Sequence, residues 1–484
     1  MRRGARGLLL VLIMSIQAAP AHAGPVGGVA ASQFPGFASP YIGHDGFRNL
    51  PVDFSEQDLG LLDAEAAMGL RWTWAGVAWI GVEPTGPTDA AHDPLGAWAA
   101  IDQWVEACHD RGLNLILQPV MSGNGGAPPA WAGYRTPAGI RKAQTWTDPN
   151  GGRHRTGAST LPGPVRAPRN MAAAANFAAK LVHRYQPNGD LSHEQGWTDG
   201  YGVRVWEIDN EPDAYGLWTS ELDDYVELLT KLRAAMKAQD PQAIVLGPAV
   251  AAGATQPTDA GMPAIMMLLD KRVERASLEY SRNGKPYAVG PQVDAVSFHN
   301  YEDLDGSTAE QTYANERPWW DLYSTQAGFA FDPDLEFWLT EGGRWTLDDD
   351  WAPRWFPQYF ARGFAGGITR MIVQGVAENG LTKSEASVAT FVRLFPDPAG
   401  MTKRSAPADP AQIYRDGDAT WTYVAWATGG TATVSIPVRT ATATVIDVAG
   451  NETTLAAVDG AVTVTLPHAS MFNEPLYVQE QPPA

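Results

Sequence analysis

The sequence predicts a closed (β/α)8 barrel followed by a small antiparallel β-sandwich. From about residue 35 to residue 396, eight short apolar runs alternate with eight amphipathic helical stretches. Strands that alternate with helices form a parallel sheet, and eight such units close into a barrel. Beyond Pro396, Thr, Val and Ala alternate between turn signals, which is typical of antiparallel strands. An open doubly wound sheet is the alternative, but no glycine-rich phosphate loop follows the first run.

The predicted barrel elements follow from apolar spacing and from capping signals. The strands are expected at 37–41, 70–74, 113–119, 203–208, 243–246, 293–298, 335–340 and 368–374. The helices are expected at 55–66, 98–111, 170–185, 220–239, 263–269, 319–326, 355–364 and 384–395. Ser55 opens a capping pattern for the first helix, Gly112 ends the second, and Asp240 with Pro241 ends the fourth.

The N-terminus has the three parts of a secretory signal peptide. Three arginines precede an apolar run at 8–16, and the small-x-small sequence at 21–23 predicts cleavage after Ala23. The apolar run is too short to span a bilayer. We therefore expect a protein that is secreted or periplasmic and not bound to a membrane. Its barrel domain is expected at 24–396 and its β-sandwich domain at 397–484.

The composition disfavours several classes of partner. The formal charge is −19, and loss of the three arginines of the signal takes it to −22. Such an acidic chain is unsuited to nucleic acid or to anionic membranes. Cys108 is the only cysteine, so no intrachain disulfide can form, and its spacing from Trp104 predicts a buried position. Eighteen Trp are many for this length, and flat indole faces suit stacking on sugar rings.

Two acids follow predicted strands at the end of the barrel where active sites lie. Glu211 follows the fourth strand within Asn210–Glu211–Pro212, and Glu341 ends the seventh. These strands lie nearly across a barrel from each other, so the two carboxyl groups can approach to about 5 Å. At that separation one carboxylic acid can protonate a glycosidic oxygen while the other carboxylate attacks the anomeric carbon. The alternative is a pair of strand-end acids held in salt bridges.

A third motif, His299–Asn300–Tyr301, ends the sixth predicted strand. Together with Asn210–Glu211–Pro212 and Thr340–Glu341, it resembles the clan of retaining (β/α)8 glycoside hydrolases that have an Asn-Glu-Pro acid/base motif. The chain is most similar to glycoside hydrolase family 39, with family 44 as the rival, over about residues 35 to 396. Family 39 acts on β-xylosides, glycosaminoglycan uronides or bacterial exopolysaccharides. The resemblance implies Glu211 as general acid/base, Glu341 as nucleophile, Asn210 on the sugar 2-hydroxyl, His299 beside the acid/base and Tyr301 on the nucleophile.

The sequence departs from the clan pattern at two strands. Trp74 stands where many members have an arginine on the second strand, and Arg71 points the wrong way by strand parity. Gln374 stands where many have a tryptophan at the end of the eighth strand. Arg344 or Trp345, just after the nucleophile, is a candidate substitute.

Further tryptophans are candidate substrate contacts. Trp74, Trp79 and Trp345 are expected to line the site. The long loop at 122–169 carries three more aromatic residues, Trp131, Tyr134 and Trp146. These residues either line substrate subsites or form a small aromatic core of the loop, and the sequence leaves both interpretations open.

The predicted function is therefore retaining hydrolysis of a β-linked oligo- or polysaccharide, with endo-action slightly favoured by the long loop. The alternatives are a carbohydrate-binding protein on a degenerate barrel and a transglycosylase of envelope polysaccharides. A pure binder has no need for two carboxylates that repel each other in one mouth. No zinc helix or serine elbow is present in the sequence, and Asp348–Asp350 is interpreted as a solvated turn and not a calcium site. We expect a monomer that needs no cofactor or metal.

Overall fold

The computed structural model describes the barrel, the C-terminal domain and parts of the loops. The residues described are 42–50, 56–121, 128–135, 145–147, 153–155, 166–212, 218, 220, 222–251, 293–302, 308–324, 335–344, 347–375, 382–417 and 419–480. The predicted signal peptide, the predicted strand at 37–41 and the predicted helix at 263–269 lie outside these residues.

Eight parallel strands form a closed barrel, which confirms the predicted fold class. In chain order the first ten strands are β1 (Ile42–Leu50), β2 (Trp72–Ala78), β3 (Asn114–Val120), β4 (Thr145–Thr147), β5 (Arg153–Arg155), β6 (Val205–Glu207), β7 (Ile244–Val250), β8 (Ala295–Tyr301), β9 (Phe337–Gly343) and β10 (Arg370–Gln374). The order around the barrel is β1, β2, β3, β6, β7, β8, β9 and β10, and β10 pairs with β1. Strands β4 and β5 form a separate hairpin in the long loop after β3.

Nine helices are described, and most surround the barrel. They are α1 (Glu56–Ala67), α2 (Trp79–Val82), α3 (Ala97–Arg111), α4 (Met171–Tyr185), α5 (Asp190–Gln195), α6 (Leu222–Gln239), α7 (Ala309–Ser324), α8 (Ala352–Gly366) and α9 (Thr382–Leu394). Gly112 ends α3 in the left-handed conformation, with φ of 64°, as predicted. No helix in these ranges is long and apolar enough to cross a membrane.

Several element boundaries differ from the prediction; for example, β2 ends at Ala78 and not at 74. Helix α7 starts at Ala309 and not at 319, and Pro318, a residue type that usually interrupts a helix, lies inside it. Strand β7 continues to Val250 and not only to 246, since Gly247–Pro248 pairs with β8 despite its resemblance to a turn.

The side chains inside the barrel change character along the strands. The lower part of the barrel is the end away from the mouth, where the strands begin. Inward-facing residues there form an apolar cluster, in which the rings of Trp72 and Trp338 meet edge to face at 5.6 Å. The other members of this cluster are Trp74, Ile116, Val205, Ile244, Leu246, Ala295 and Ile372. Because side chains alternate along a strand, the next inward positions belong to Gln118, Glu207 and Thr340. The upper part of the barrel interior is therefore polar.

The C-terminal residues form an antiparallel β-sandwich, as the sequence predicts. Its strands are β11 (Thr402–Lys403), β12 (Ala411–Asp416), β13 (Thr422–Ala427), β14 (Ala432–Pro437), β15 (Thr442–Ile446), β16 (Glu452–Ala456), β17 (Ala461–Leu466) and β18 (Leu476–Glu480). One sheet has the order β11, β12, β13, β18, β15, β16, and the other pairs β14 with β17. The two sheets enclose a core of their own, in which Ala425 and Val464 are buried.

The sandwich packs firmly against the last helices of the barrel. Tyr477 on β18 lies 6.5 Å from Phe391 and 6.0 Å from Phe395, measured between ring centroids. Phe472, in the loop before β18, packs on Trp351 at 5.3 Å. Residues of both parts belong to one buried apolar cluster. The sandwich therefore covers the outer side of the barrel beside α8 and α9.

Candidate active site

A strained turn after β6 delivers Glu211 to the mouth of the barrel. Glu207 is the last strand residue that faces inward, and the backbone then turns through Asp209 and Glu211, with φ of 58° and 41°. A left-handed conformation costs a residue other than glycine on the order of 1 kcal/mol or more. The turn is held because the Asn210 N–H donates to Asp209 Oδ1 at 3.0 Å and the Glu211 N–H donates to the Ala249 carbonyl at 3.0 Å.

A β-bulge in β9 brings Glu341 to the same mouth. The pairing of β8 with β9 moves from Phe298 opposite Leu339 directly to His299 opposite Glu341, so Thr340 is the extra residue. Regular alternation would point Thr340 inward and Glu341 outward, towards the helices. The bulge lets both consecutive side chains face the interior of the barrel.

The residue after Glu341 confirms this change of direction. A Cβ on Gly342 would lie 2.7 Å from the hydroxyl of Tyr359, which is on α8 outside the barrel. Position 342 therefore faces the helix layer at close range, and only glycine fits there without displacing Tyr359.

Strand β8 supplies the groups that connect the two acids. The Tyr301 hydroxyl donates to Glu341 Oε1 at 2.8 Å. His299 Nδ1 lies 2.9 Å from Glu211 Oε1 and 3.4 Å from Glu341 Oε2. The structure thus brings together four of the residues named from the sequence. One possible metal-ligand atom from each of Glu211, His299 and Glu341 lies within 4.8 Å of the others. A metal ion could bind at this spacing, but the hydrogen bond between His299 and Glu211 already explains why these residues are close.

The electrostatics of this group centre on His299. Burial disfavours the charged imidazolium, but Glu341, Glu211 and, more weakly, Glu207 together raise the pKa of His299 from 6.5 to about 10. The ring is therefore a cation at neutral pH and donates its Nδ1–H to the carboxylates. Its buried Nε2 has no partner among the described residues, a cost that the two carboxylates outweigh.

Two amide side chains at the mouth have an incomplete set of hydrogen bonds. Asn210 is 3% exposed, and within the described part of the chain its Oδ1 is buried without a partner. Gln374 follows the inward-facing Ile372 by two residues, and its Oε1 is also buried without a described partner. Unsatisfied buried acceptors are rare in folded proteins, so both groups are suited to bind a ligand hydroxyl.

The predicted tryptophan contacts have different outcomes. Trp74 faces inward and donates its indole N–H to Glu207 Oε2 at 3.0 Å, below the two acids. The prediction for Trp79 is wrong: its ring is fully buried, stacks on Phe177 at 6.0 Å and donates to Glu83 Oε2 at 2.8 Å. Trp79 begins α2, so its ring packs in the layer between the strands and the helices. Trp345 lies outside the described residues.

The aromatic residues of the long loop are only partly described. Trp131 donates to the Glu83 carbonyl at 2.7 Å and meets the ring of Trp79 at 5.5 Å, so it belongs to the core beside the loop. Tyr134 lies below the guanidinium group of Arg166, 4.5 Å from ring centroid to Cζ. The side chain of Trp146 lies outside the described residues. The core interpretation therefore holds for Trp131.

Neither described arginine near these strands replaces the missing arginine of the second strand. The Arg344 guanidinium lies over Trp351 and Phe472, with Cζ 5.5 Å and 5.4 Å from their ring centroids. Arg71 donates to the Leu70 carbonyl at 2.8 Å, before β2 begins. In this structure the basic group beside Glu341 is His299, whose Nδ1 lies 3.4 Å from Glu341 Oε2.

Sequence reasoning gave no role to Glu207, which is fully buried below the two acids. Its carboxylate accepts hydrogen bonds from Trp74, Gln118 and Thr340. Strand parity was the available signal: Val205 faces the apolar interior, so an acid two residues later must also face inward.

The whole fold is similar to solved glycoside hydrolase structures. A family 39 glycoside hydrolase from Bacteroides cellulosilyticus WH2 has a TM-score of 0.56 at 16% identity, over 91% of this chain and 81% of that chain. A glucosidase from Croceicoccus marinus has a TM-score of 0.58 at 14% identity, over 94% and 98%. A family 39 β-xylosidase from Caulobacter crescentus has a TM-score of 0.54 at 16% identity, over 92% and 97%.

The chain has the fold of glycoside hydrolases. This similarity agrees with the resemblance to family 39 that the sequence motifs indicate, and it covers both the barrel and the C-terminal sandwich. No protein-family model matches the sequence, and no curated protein is significantly similar to it.

Proposed function

We propose that the protein is a retaining glycoside hydrolase that cleaves a β-linked oligo- or polysaccharide. The observation that carries the proposal is the separation of two carboxylates at the barrel mouth, where oxygen atoms of Glu211 and Glu341 lie within 4.8 Å. Retaining enzymes hold their carboxyl groups about 5 Å apart, whereas inverting enzymes need about 6.5 Å or more to admit a water molecule. The fold of the chain supports the same class of reaction.

In the first step, Glu341 acts as the nucleophile. Its carboxylate attacks the anomeric carbon while Glu211 donates a proton to the leaving oxygen, so the glycosidic bond breaks and a glycosyl ester forms. The hydrogen bond from Tyr301 at 2.8 Å holds the attacking carboxylate in place. In the second step, Glu211 takes a proton from water, and the resulting hydroxide displaces Glu341 and releases the sugar.

His299 balances the charge of both steps. In the first step Glu341 becomes an ester and Glu211 gives up a proton, so negative charge leaves Glu341 and appears on Glu211. Nδ1 of His299 is close to both carboxyl groups, 2.9 Å from Glu211 and 3.4 Å from Glu341. The histidine can move its hydrogen bond from one acid to the other without a large displacement.

The proposed substrate is an uncharged or weakly charged polymer. The Oδ1 of buried Asn210, which has no partner among the described residues, is suited to accept from the sugar 2-hydroxyl, as the clan resemblance implies. The long insertion between β3 and α4, with its hairpin, favours endo-action because it adds surface at the catalytic end of the barrel. Solved neighbours are described as a xylosidase and a glucosidase, so xylosides and glucosides are the first compounds to test. Export through residues 1–23 is part of the proposal.

The test is release of reducing ends from xylan, xyloglucan, β-glucans, mannan and bacterial exopolysaccharides, measured beside Glu341→Ala. Proton NMR of the first product then reports its anomeric configuration, which should match that of the substrate. Glu211→Ala should lose more activity on the natural polymer than on aryl glycosides with good leaving groups.

Three results would contradict the proposal. An inverted product would exclude the retaining mechanism, and equal activity of Glu341→Ala would exclude the nucleophile. Binding without release by the wild-type protein across the panel would favour a binding protein, or a transglycosylase that needs a sugar acceptor.

A further inference from the structure

We propose that Glu207 is a positioning residue that fixes the nucleophile through Thr340, an inference that rests on the proposed function. Glu207 lies on β6, the strand that leads to Glu211, and Thr340 directly precedes Glu341 on β9. The Thr340 hydroxyl donates to Glu207 Oε1 at 2.6 Å. This single hydrogen bond connects the strand of the acid/base to the strand of the nucleophile across the barrel interior.

The two strands have no direct pairing that could do the same. Strands β7 and β8 lie between β6 and β9 in the barrel order. Their relative position at the mouth therefore depends on three intervening ladders, two of which contain a register shift at the level of the site. A bond across the interior bypasses both irregular ladders.

Glu207 is itself held by two further strands. Trp74 on β2 donates to its Oε2 at 3.0 Å, and Gln118 on β3 donates to the same oxygen at 3.1 Å. Three donors thus converge on one carboxylate, an arrangement that suits a group which only accepts hydrogen bonds. Since the donors come from three strands, Glu207 cannot move without breaking contacts on each side of the barrel.

The bulge explains why this position matters for Glu341. The side chain of Glu341 faces inward only because Thr340 occupies the extra position in β9. If no bond holds the side chain of the extra residue, the bulge can move along the strand by one residue. Such a shift in register would reverse the direction in which the side chains point. The hydroxyl bond to Glu207 holds Thr340 inward and thereby keeps the next carboxylate at the mouth.

Glu207 has no direct part in the chemistry. It is fully buried, and its carboxylate is engaged by Trp74, Gln118 and Thr340 below the mouth. A substrate at Glu211 and Glu341 has no access to it. Its effect on the reaction must pass through the residues that it holds.

The first test compares Thr340→Val with Thr340→Ser on aryl β-xylosides and aryl β-glucosides. Valine keeps the shape and removes the hydroxyl, whereas serine keeps the hydroxyl. Displacement of a catalytic group by about 1 Å costs about 10²-fold, so we expect Thr340→Val to lower kcat by about 10- to 100-fold with KM changed less than about threefold. Thr340→Ser should remain within about threefold of the wild-type kcat, a rescue that a packing role alone would not give.

Glu207→Gln removes the charge and keeps the shape. The matched control is Glu65→Gln, because Glu65 is equally buried and accepts from Thr73 Oγ1 at 3.4 Å on the outer side of β2. We expect Glu207→Gln to lower kcat and Glu65→Gln to leave it unchanged. If both effects pass through one bond, Glu207→Gln combined with Thr340→Val should lose no more than the worse single variant.

The second readout needs no turnover: it is the NMR titration of the His299 imidazole. The titratable groups that face this ring are Glu207 on β6, Glu211 in the turn after β6, and Glu341 on β9. Tyr301 on β8 is connected to the ring through its bond to Glu341. If Thr340→Val lets Glu341 move away, the midpoint of the His299 titration should fall to lower pH. It should stay in place in Thr340→Ser and Glu65→Gln.

The outcomes separate this inference from the proposed function. An inactive wild-type protein whose His299 midpoint still falls in Thr340→Val would retain the positioning role and overturn the glycosidase proposal. An active wild-type protein with wild-type kcat and an unchanged His299 midpoint in Thr340→Val would overturn the positioning role alone.

Discussion

The lower and upper halves of the barrel interior are built on the same strands and have opposite chemistry. In the lower half, Trp72 and Trp338 fill the space with indole rings, and Arg370 lies over Trp338 while paired with Glu336. In the upper half, Glu207 and His299 are surrounded by hydrogen-bond donors and acceptors. The lower half excludes water and fixes the strands, while the upper half uses that rigidity to hold charged groups close together.

The largest loss of activity is expected when a charged group is removed from the upper half. Glu341→Ala should lower kcat on the order of 10⁴-fold or more, because the proposed nucleophile is absent, and should leave the fold intact. The measurement is kcat on an aryl glycoside together with the midpoint of thermal unfolding. A variant that keeps a tenth of the activity, or that is unfolded, would contradict the assignment of activity to the upper half and of stability to the lower half.

A change in the lower half should have the reverse effect. Trp338→Ala removes a fully buried indole from the apolar cluster and should lower the free energy of unfolding by about 3–5 kcal/mol. Trp338→Phe should cost less, because the ring still fills part of the space. Denaturant unfolding measures both. A small loss in Trp338→Ala would mean that the lower half is not what stabilises the barrel.

The contribution of His299 in the upper half to stability should depend on pH. The pKa of His299 is about 10 in the folded protein against 6.5 for a free imidazole. A raised pKa stabilises the fold fully below about pH 6.5, and this stabilisation is lost as the pH rises to about 10. The difference in unfolding free energy between the wild type and His299→Gln should therefore shrink over that range.

The control for the pH experiment is His92→Gln, since His92 is an exposed histidine outside the site. The differences of both variants from the wild type are measured at each pH. A constant difference between the wild type and His299→Gln from pH 6.5 to pH 10 would contradict the assignment of a charged His299.

The smallest expected effect tests a tryptophan outside the interior. Trp79→Phe removes the indole bond to Glu83 and should cost about 1–2 kcal/mol of stability. KM should stay at the wild-type value, because Trp79 is fully buried away from the mouth. A raised KM with unchanged stability would instead indicate that Trp79 contacts the substrate.

Sequence patterns predicted the barrel well because its signals are repeated and local. Apolar runs alternated with helical spacing eight times, and Gly112 marked a helix end through its own conformation. The two acids were noticed because each follows an apolar run that was predicted to be a buried strand. Their chemical pairing needed only the knowledge that strand ends meet at one face of a barrel.

The parts that were missed depend on contacts between distant residues. The bulge at Thr340 is set by pairing with β8, so the sequence of β9 alone gives the wrong direction for Glu341. Trp79 follows β2 directly, and nothing local shows that α2 begins there. The role of Glu207 depends on hydrogen-bond donors from three other strands, which its own sequence neighbours do not reveal.

The aromatic contact between the sandwich and the barrel has a consequence for how the chain can be divided. A barrel that ended near Pro396 would expose Phe391 and Phe395, which Tyr477 covers in the whole chain. Exposed aromatic patches of this kind promote aggregation. The C-terminal region is therefore not a detachable module in the way that a tethered binding domain is, and the two parts are expected to unfold together on heating.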